Sequence, residues 1–351
     1  MAERATVVER VQIGIEPGGS PGTPVAATKA PRAMSLRLNP RGESDEFRAE
    51  GNKDYSLVTQ VAEWAEAPIE GRLTYDEFAY LLSCFYGTAT APAITDAVSS
   101  DPVAGVTGWR WTTSNTALDT PKTMTVERGS AYRAHRASYG VVRDLGYTIQ
   151  RRGGAPSISG AMLFQRIQDG VTLTASPTDI DATPVQPPQV DVYLDATAAG
   201  IGTTKMGRAS RVGWSRNGKF RDYWVLDRDK ESWVSPVELA ADPMLTLMVQ
   251  ADSSGMALLS QYRGGGTVFV RVEARGAQIG TADGWKIAGG TTIPGNVPYF
   301  FRHDMAVKVR DPIEISDQDG VMGGEWGCRV VHDPTLGFAE QITLVNKLSA
   351  L

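Results

Sequence analysis

IEGRLTYDEFAYLLSCFYG, Ile69 to Gly87, changes its structural period halfway along. Ile69, Gly71 and Leu73 alternate with Glu70 and Arg72, the period of a strand. Phe78, Leu81, Leu82 and Phe85 then fall at i, i+3, i+4 and i+7, the apolar stripe of a helix. Thr74 is a suitable N-cap, Glu77 three residues on completes a capping box, and Leu73 can staple onto Phe78. Gly87 supplies the C-terminal stop. The stretch predicts a strand leading into a well-capped helix that packs its stripe back onto the sheet.

The helix signature occurs twice. Leu81, Leu82, Ser83, Phe85 and Gly87 recur as Leu258, Leu259, Ser260, Tyr262 and Gly264, an offset of 177 in a chain of 351 residues. Thr28, Lys29, Arg32 and Ala33 recur as Thr204, Lys205, Arg208 and Ala209, an offset of 176. Either match alone could be chance; their agreement in order, in offset and with half the chain length argues for a duplication. The second copy keeps a strand in Leu245, Leu247 and Val249, but Gly255 stands in the place of Phe78 and no capping box is present. A shorter, weaker second helix is expected.

Working outward, period-2 patterns recur at Met34–Leu38, Thr123–Glu127 and Thr267–Glu273, with Val268, Val270 and Val272 on one face. Asn217-Gly218 between two such runs signals a hairpin. The reading is a mainly β protein with α (α+β): two tandem β-sandwich or barrel domains, each with one flanking helix. The expected divisions are an N-terminal arm (1–10), a first domain (11–174) with long loops at 41–64 and 88–121, a proline-rich linker (175–189), a second domain (190–336), and a C-terminal strand or arm (337–351). About 150 residues per domain agrees with two. Trp109 and Trp111, flanking Arg110, read as a short strand rather than a ligand stack.

Net charge is −5, which disfavours static, tight nucleic-acid binding, since that needs a basic footprint. The first ten residues have no apolar h-region, and no apolar run approaches the roughly 20 residues of a membrane span. Cys84 and Cys328 read as free buried thiols. His135, His303 and His332 lack metal-ligand spacing. Asp317, Asp319 and Gly320 open like a calcium loop but lack its later ligands. Gly264–Gly266 precedes a strand where a phosphate loop precedes a helix. No catalytic residue, metal site or cofactor is expected.

VQIGIEPGGSPGTPVAATK near the start, the strand-to-helix stretch and VVRDLGYTIQRRGGAPSISGAML together resemble the tail tube proteins of bacteriophages with long, non-contractile tails. The resemblance covers most of the first half and continues more loosely through TVFVRVEARG and the last strands; order and spacing carry it. It implies domains of two packed antiparallel sheets flanked by a helix, six to a ring, with rings stacked into a hollow tube that conducts double-stranded DNA. It also implies tape-measure and tail-tip or terminator proteins as partners, and a place in the virion tail after assembly in the host cytoplasm. With two domains per chain, a ring needs three chains and is pseudo-six-fold.

The charged run Arg41, Glu43, Asp45, Glu46, Arg48, Glu50, Lys53 and Asp54 reads either as a solvated loop or as an arm that orders against a neighbouring subunit, and it ranks first among candidate contacts between subunits or rings. Phe78, Leu81, Leu82, Phe85, Leu258, Leu259 and Tyr262 are the expected packing residues of the two helices. The alternatives are another virion component, such as a terminator, collar or decoration protein, or a carbohydrate-binding β-sandwich.

Overall fold

Every residue of α1 (Glu77–Tyr86) is buried. A helix with one apolar stripe should show solvent a polar face; α1 has none because protein covers it on both sides. In the computed structural model, which describes residues 9–250, 253–288, 290–311, 315–318 and 321–351, α1 lies between two halves of the chain. Strands take 52% of the residues and helices 7%, so the fold is mainly β with α, as the sequence indicates.

The first half, unit 1, holds β1 (Arg10–Ile15), β2 (Lys29–Ala30), β3 (Met34–Leu36), β4 (Asn39–Phe47), β5 (Leu57–Arg72), α1, β6 (Ile94–Asp96), β7 (Thr107–Thr112), β8 (Met124–Gly129), β9 (Ala134–Gln150), β10 (Ser157–Phe164), β11 (Ile167–Val171) and β12 (Thr178–Asp179). The second, unit 2, holds β13 (Val190–Asp195), β14 (Ala209–Arg216), β15 (Phe220–Tyr223), β16 (Ser235–Glu238), β17 (Pro243–Gln250), α2 (Ser253–Gly264), β18 (Val268–Gly280), β19 (Trp285–Ile287), β20 (Val297–Asp311), β21 (Ile315–Gln318), β22 (Val321–Val330) and β23 (Glu340–Asn346).

The pairings repeat. In unit 1, β1 pairs with β8, β8 with β9, β9 with β10, β10 with β5, and β5 with β3 and β4. In unit 2, β13 pairs with β18, β18 with β20, β20 with β22, β22 with β17, and β17 with β14. All are antiparallel. β11 returns to β9 as β23 returns to β20. Register repeats as well: Leu36 faces Ile69 and Gly213 faces Thr246; Asn39 faces Glu66 and Arg216 faces Pro243; Glu46 faces Val58 and Tyr223 faces Ser235. Each pair maps onto its counterpart by the shift of 177 read from the helices. A one-residue slip would turn every side chain to the opposite face, so agreement along a whole hairpin is a stringent sign of two equivalent units.

β9 belongs to two sheets because it kinks. Tyr139 sits at φ 58, its N–H bonded to the buried Glu16 carboxylate at 2.8 Å. Below the kink β9 pairs with β8 and β11, above it with β10. A bulge of this kind re-aims a strand.

The expectation of two domains on a linker needs correction. β14 of unit 2 pairs with β9 of unit 1, Arg211 through Arg216 opposite Gln150 through Leu145. One core cluster takes Phe78 and Leu145 together with Val270, Phe301 and Leu344. The stretch 175–189 is strapped down: β12 lies parallel to β2, Val185 N–H reaches Leu73 O at 2.8 Å, and Ile180 and Val185 are buried. Isolated apolar residues between the prolines anchor it.

Other local expectations also change. Residues 41–64 are not a loop but most of the β4–β5 hairpin; charged residues on both faces hid a strand that meets solvent on both sides. Residues 88–121 contain β7, which adds to β23 of unit 2, and β6, which pairs with β19. Of the two readings for 337–351, strand or arm, the chain takes the strand: β23 is buried between β20 and β7. Asn217-Gly218 does not close a hairpin: β14 pairs with β17 and β9, β15 with β16. Gly218 N–H binds Asp144 Oδ1 at 2.6 Å, so the chain steps there from one element to another.

The expected capping box on Thr74 does not form as such: the N-cap of α1 is Asp76, which makes no side-chain capping bond. Glu77 N–H donates to Thr74 Oγ1 at 3.2 Å, but the Glu77 carboxylate turns to the Arg32 and Ala33 N–H groups at the entry to β3. Gly87 ends α1 at φ 102, where a Cβ would lie 2.1 Å from Thr120 O. α2 is not the shorter helix: it has 12 residues against 10. Of the expected N-terminal arm (1–10), residues 1–8 lie outside the described residues and Arg10 already begins β1; Asp319 and Gly320 also lie outside them.

Candidate functional site

A buried polar cluster lies where unit 2 closes over α1. Glu340, on β23, is 1% exposed. It accepts hydrogen bonds from the Tyr86 hydroxyl at 2.7 Å, Trp214 Nε1 at 2.8 Å and Arg216 Nη1 at 3.2 Å. His303 Nε2 lies 3.4 Å away, and His303 Nδ1 lies 2.9 Å from the Tyr147 hydroxyl. Burial alone would raise the carboxyl pKa, but His303, Arg216 and Tyr86 outweigh it and hold it at about 2. Tyr86 and Tyr147 come from unit 1, Trp214, Arg216, His303 and Glu340 from unit 2. A buried carboxylate is tolerated only when so many donors converge on it.

Lys219 forms the second lock. Fully buried, it donates to Phe85 O and to Asp119 Oδ2, both at 2.6 Å, and its ammonium sits 4.4 and 4.2 Å from the Phe85 and Tyr86 ring centres. Desolvation lowers its pKa to about 8 against the opposing pull of Asp119. The Phe85 carbonyl it caps belongs to the last turn of α1, whose carbonyls have no partner within the helix. Around these locks, Tyr147 stacks on Trp214 at 5.6 Å, and Phe78 meets Phe301 edge-on at 6.3 Å.

The β15–β16 hairpin then reaches over unit 1. Trp233 is buried against Tyr139, with ring centres 4.7 Å apart, and its Nε1 donates to Phe164 O at 2.9 Å. Gln165 Nε2 donates to Trp233 O at 2.8 Å, and Ser232 Oγ to Glu63 O at 2.7 Å. Glu231 pairs with Arg166. A strand pairing, a helix cover and an arm therefore join the two units head to tail.

The expected packing residues Phe78, Leu81, Leu82 and Phe85 are fully buried, and Leu258 is 1% exposed, but Tyr262 is 37% exposed and Leu259 only half-buried. Arg41, Glu43, Asp45, Glu46, Arg48, Glu50, Lys53 and Asp54 all lie exposed along the β4–β5 hairpin and its turn. Beside them Phe47, Tyr55, Leu57, Val58 and Val61 are 54–65% exposed. The sequence reading missed Glu340, Lys219, Trp214 and Trp233. Glu340 had a signal, a lone acid in the apolar run FAEQITLV; Lys219 was masked by the turn-like Asn-Gly before it.

Among the described residues no group of three or more His, Cys, Asp or Glu side chains is placed to hold a metal, and no helix is long and apolar enough to cross a membrane. Cys84 and Cys328 are free and buried. No protein-family model matches the chain, and no curated protein matches it in sequence.

Proposed function

We propose that this chain is a structural virion protein, the tail tube protein of a phage with a long, non-contractile tail, which assembles into stacked rings around a channel for double-stranded DNA. One observation carries the reading: two equivalent units are joined head to tail inside one chain, and the partners of that junction are left open at the two ends. β14 has β17 on one side and β9 on the other, whereas its counterpart β3 has only β5. Head-to-tail contacts of this kind close into rings or run into helical filaments, and ring closure removes the unpaired sheet edges that a β-protein must otherwise protect.

Three chains supply six units, giving true three-fold and pseudo-six-fold symmetry. Three chains at −5 each carry −15, which favours passage of DNA over adsorption to the tube. Tape-measure and terminator proteins are the partners this reading brings with it. Negative-stain microscopy of the purified chain tests it: tubes with a regular axial repeat support it, and persistent monomers with affinity for glycans overturn it.

A further inference from the structure

The internal junction can be written out as a register and carried to the open ends. The shift of 177 maps β14 onto β3. β20 and β21 together answer β9, both pairing with β22; a shift of 167 maps the last part of β9 and the start of β10 onto β21 and β22, since Thr148 faces Ser157 as Ile315 faces Gly324. In the junction, Arg211 faces Gln150, Val212 faces Ile149, and Gly213 faces Thr148. Applying both shifts places Met34 opposite Asp317, Ser35 opposite Ser316, and Leu36 opposite Ile315.

Within one chain these strands belong to opposite ends of the assembled sheets, and neither β3 nor β21 has a second strand partner among the described residues. We infer that β3 of one copy adds antiparallel to β21 of a second copy in this register, with the β4–β5 hairpin of the first laid over unit 2 of the second as β15–β16 is laid over unit 1. The inference rests on the ring reading above and adds to it the strands, the register and the arm.

Two features independent of the register agree. Tyr262 of α2 stands where Phe85 stands in α1; Phe85 is fully buried beneath Trp214 and Lys219, and Tyr262 is 37% exposed. The shift of 177 places Arg37 and Gly42 where Trp214 and Lys219 stand, so the β3–β4 crossing of the incoming copy is the segment that covers Tyr262. The apolar residues of the β4–β5 hairpin, Phe47, Leu57, Val58 and Val61 among them, are likewise open in a single copy. A second copy is the occupant because the chain already holds a covered example of the same surface.

The test is disulfide trapping in assembled rings. Directly opposed residues of antiparallel strands have Cα atoms about 4.5–5.5 Å apart, within disulfide reach. Ser35 is exposed, and the native Cys84 and Cys328 are buried. S35C/S316C should convert to covalent oligomers under mild oxidation, whereas each single variant and the mis-registered S35C/D317C should cross-link at least about tenfold more slowly. Hydrogen exchange on the wild-type chain gives a readout without substitution: amides of 34–36 and 315–318 should slow by on the order of tenfold or more on assembly. Rings that form without this cross-link and without this protection overturn the register and leave the ring reading standing. A wild-type chain that forms no rings overturns both.

Discussion

α1 and α2 share one sequence signature and one place in their units, yet the first is buried on every side and the second shows Tyr262 and Arg263 to solvent. The difference lies in what each unit has for a neighbour. Unit 1 is covered by unit 2 of the same chain, through β14, Lys219 and the β15–β16 arm. Within one chain, unit 2 has no third unit to cover it. An exposed aromatic on α2 is therefore the unfilled counterpart of a filled site, and the pair acts as an internal control: the same substitution should have different consequences in the two places.

The largest contrast is expected between Phe85→Ala and Tyr262→Ala. The first empties a packed site and should cost about 3–5 kcal/mol of stability in the free chain. The second removes an exposed ring and should cost less than about 1 kcal/mol there, while weakening ring assembly measured by light scattering. Equal destabilisation of the free chain by both would break the comparison.

Glu340→Ala comes next. It strips the carboxylate from Arg216, Trp214, Tyr86 and His303 and should cost about 3–5 kcal/mol in urea unfolding. The same group sets an acid limb. Its folded pKa, about 2, lies below the ordinary glutamate value, so its contribution is fully present above about pH 4.5 and is lost as pH falls toward 2. Glu340→Gln should flatten that limb in a series of thermal melts; an unchanged acid profile would remove Glu340 from the account.

Trp233→Ala should act locally. Release of the β15–β16 arm should open residues 224–232 to limited proteolysis with only a small shift of the main unfolding transition. This would leave the unit-2 arm as accessible as the β4–β5 hairpin already is in the free chain. Protection of residues 48–56 in assembled rings would complete the parallel.

The smallest effect belongs to Asp76, before α1. Desolvation, with Asp181 and Glu77 nearby and only Lys347 opposing, raises its pKa to about 7, and its Oδ2 is buried without a hydrogen-bond partner. A raised acid favours the folded state at low pH and loses that contribution as pH climbs from about 4 to 7. Asp76→Asn should therefore raise Tm modestly at pH 8 and leave it unchanged at pH 4.

The repeat, the strand before α1 and the α+β class were legible because each rests on short-range periodicity. The burial of α1 was not, because half of its cover arrives from residues 214–219 and 301–340, and no local pattern encodes a distant face. β4 and β5 were obscured by charge: Arg41 through Asp54 reads as a loop by composition, while the ladder from Asn39 opposite Glu66 to Phe47 opposite Leu57 is held by backbone bonds that composition does not report. The β9–β14 register lay beyond sequence altogether: the repeat offset of 177 carries β14 onto β3, but the shift of 167 that carries β9 onto β21 appears only in the strand pairings.

Native mass spectrometry of a single isolated ring tests the central claim most directly. Two equivalent units in one chain, joined in the way the open ends would join to a neighbour, predict three chains per ring. A ring of six chains would contradict the account.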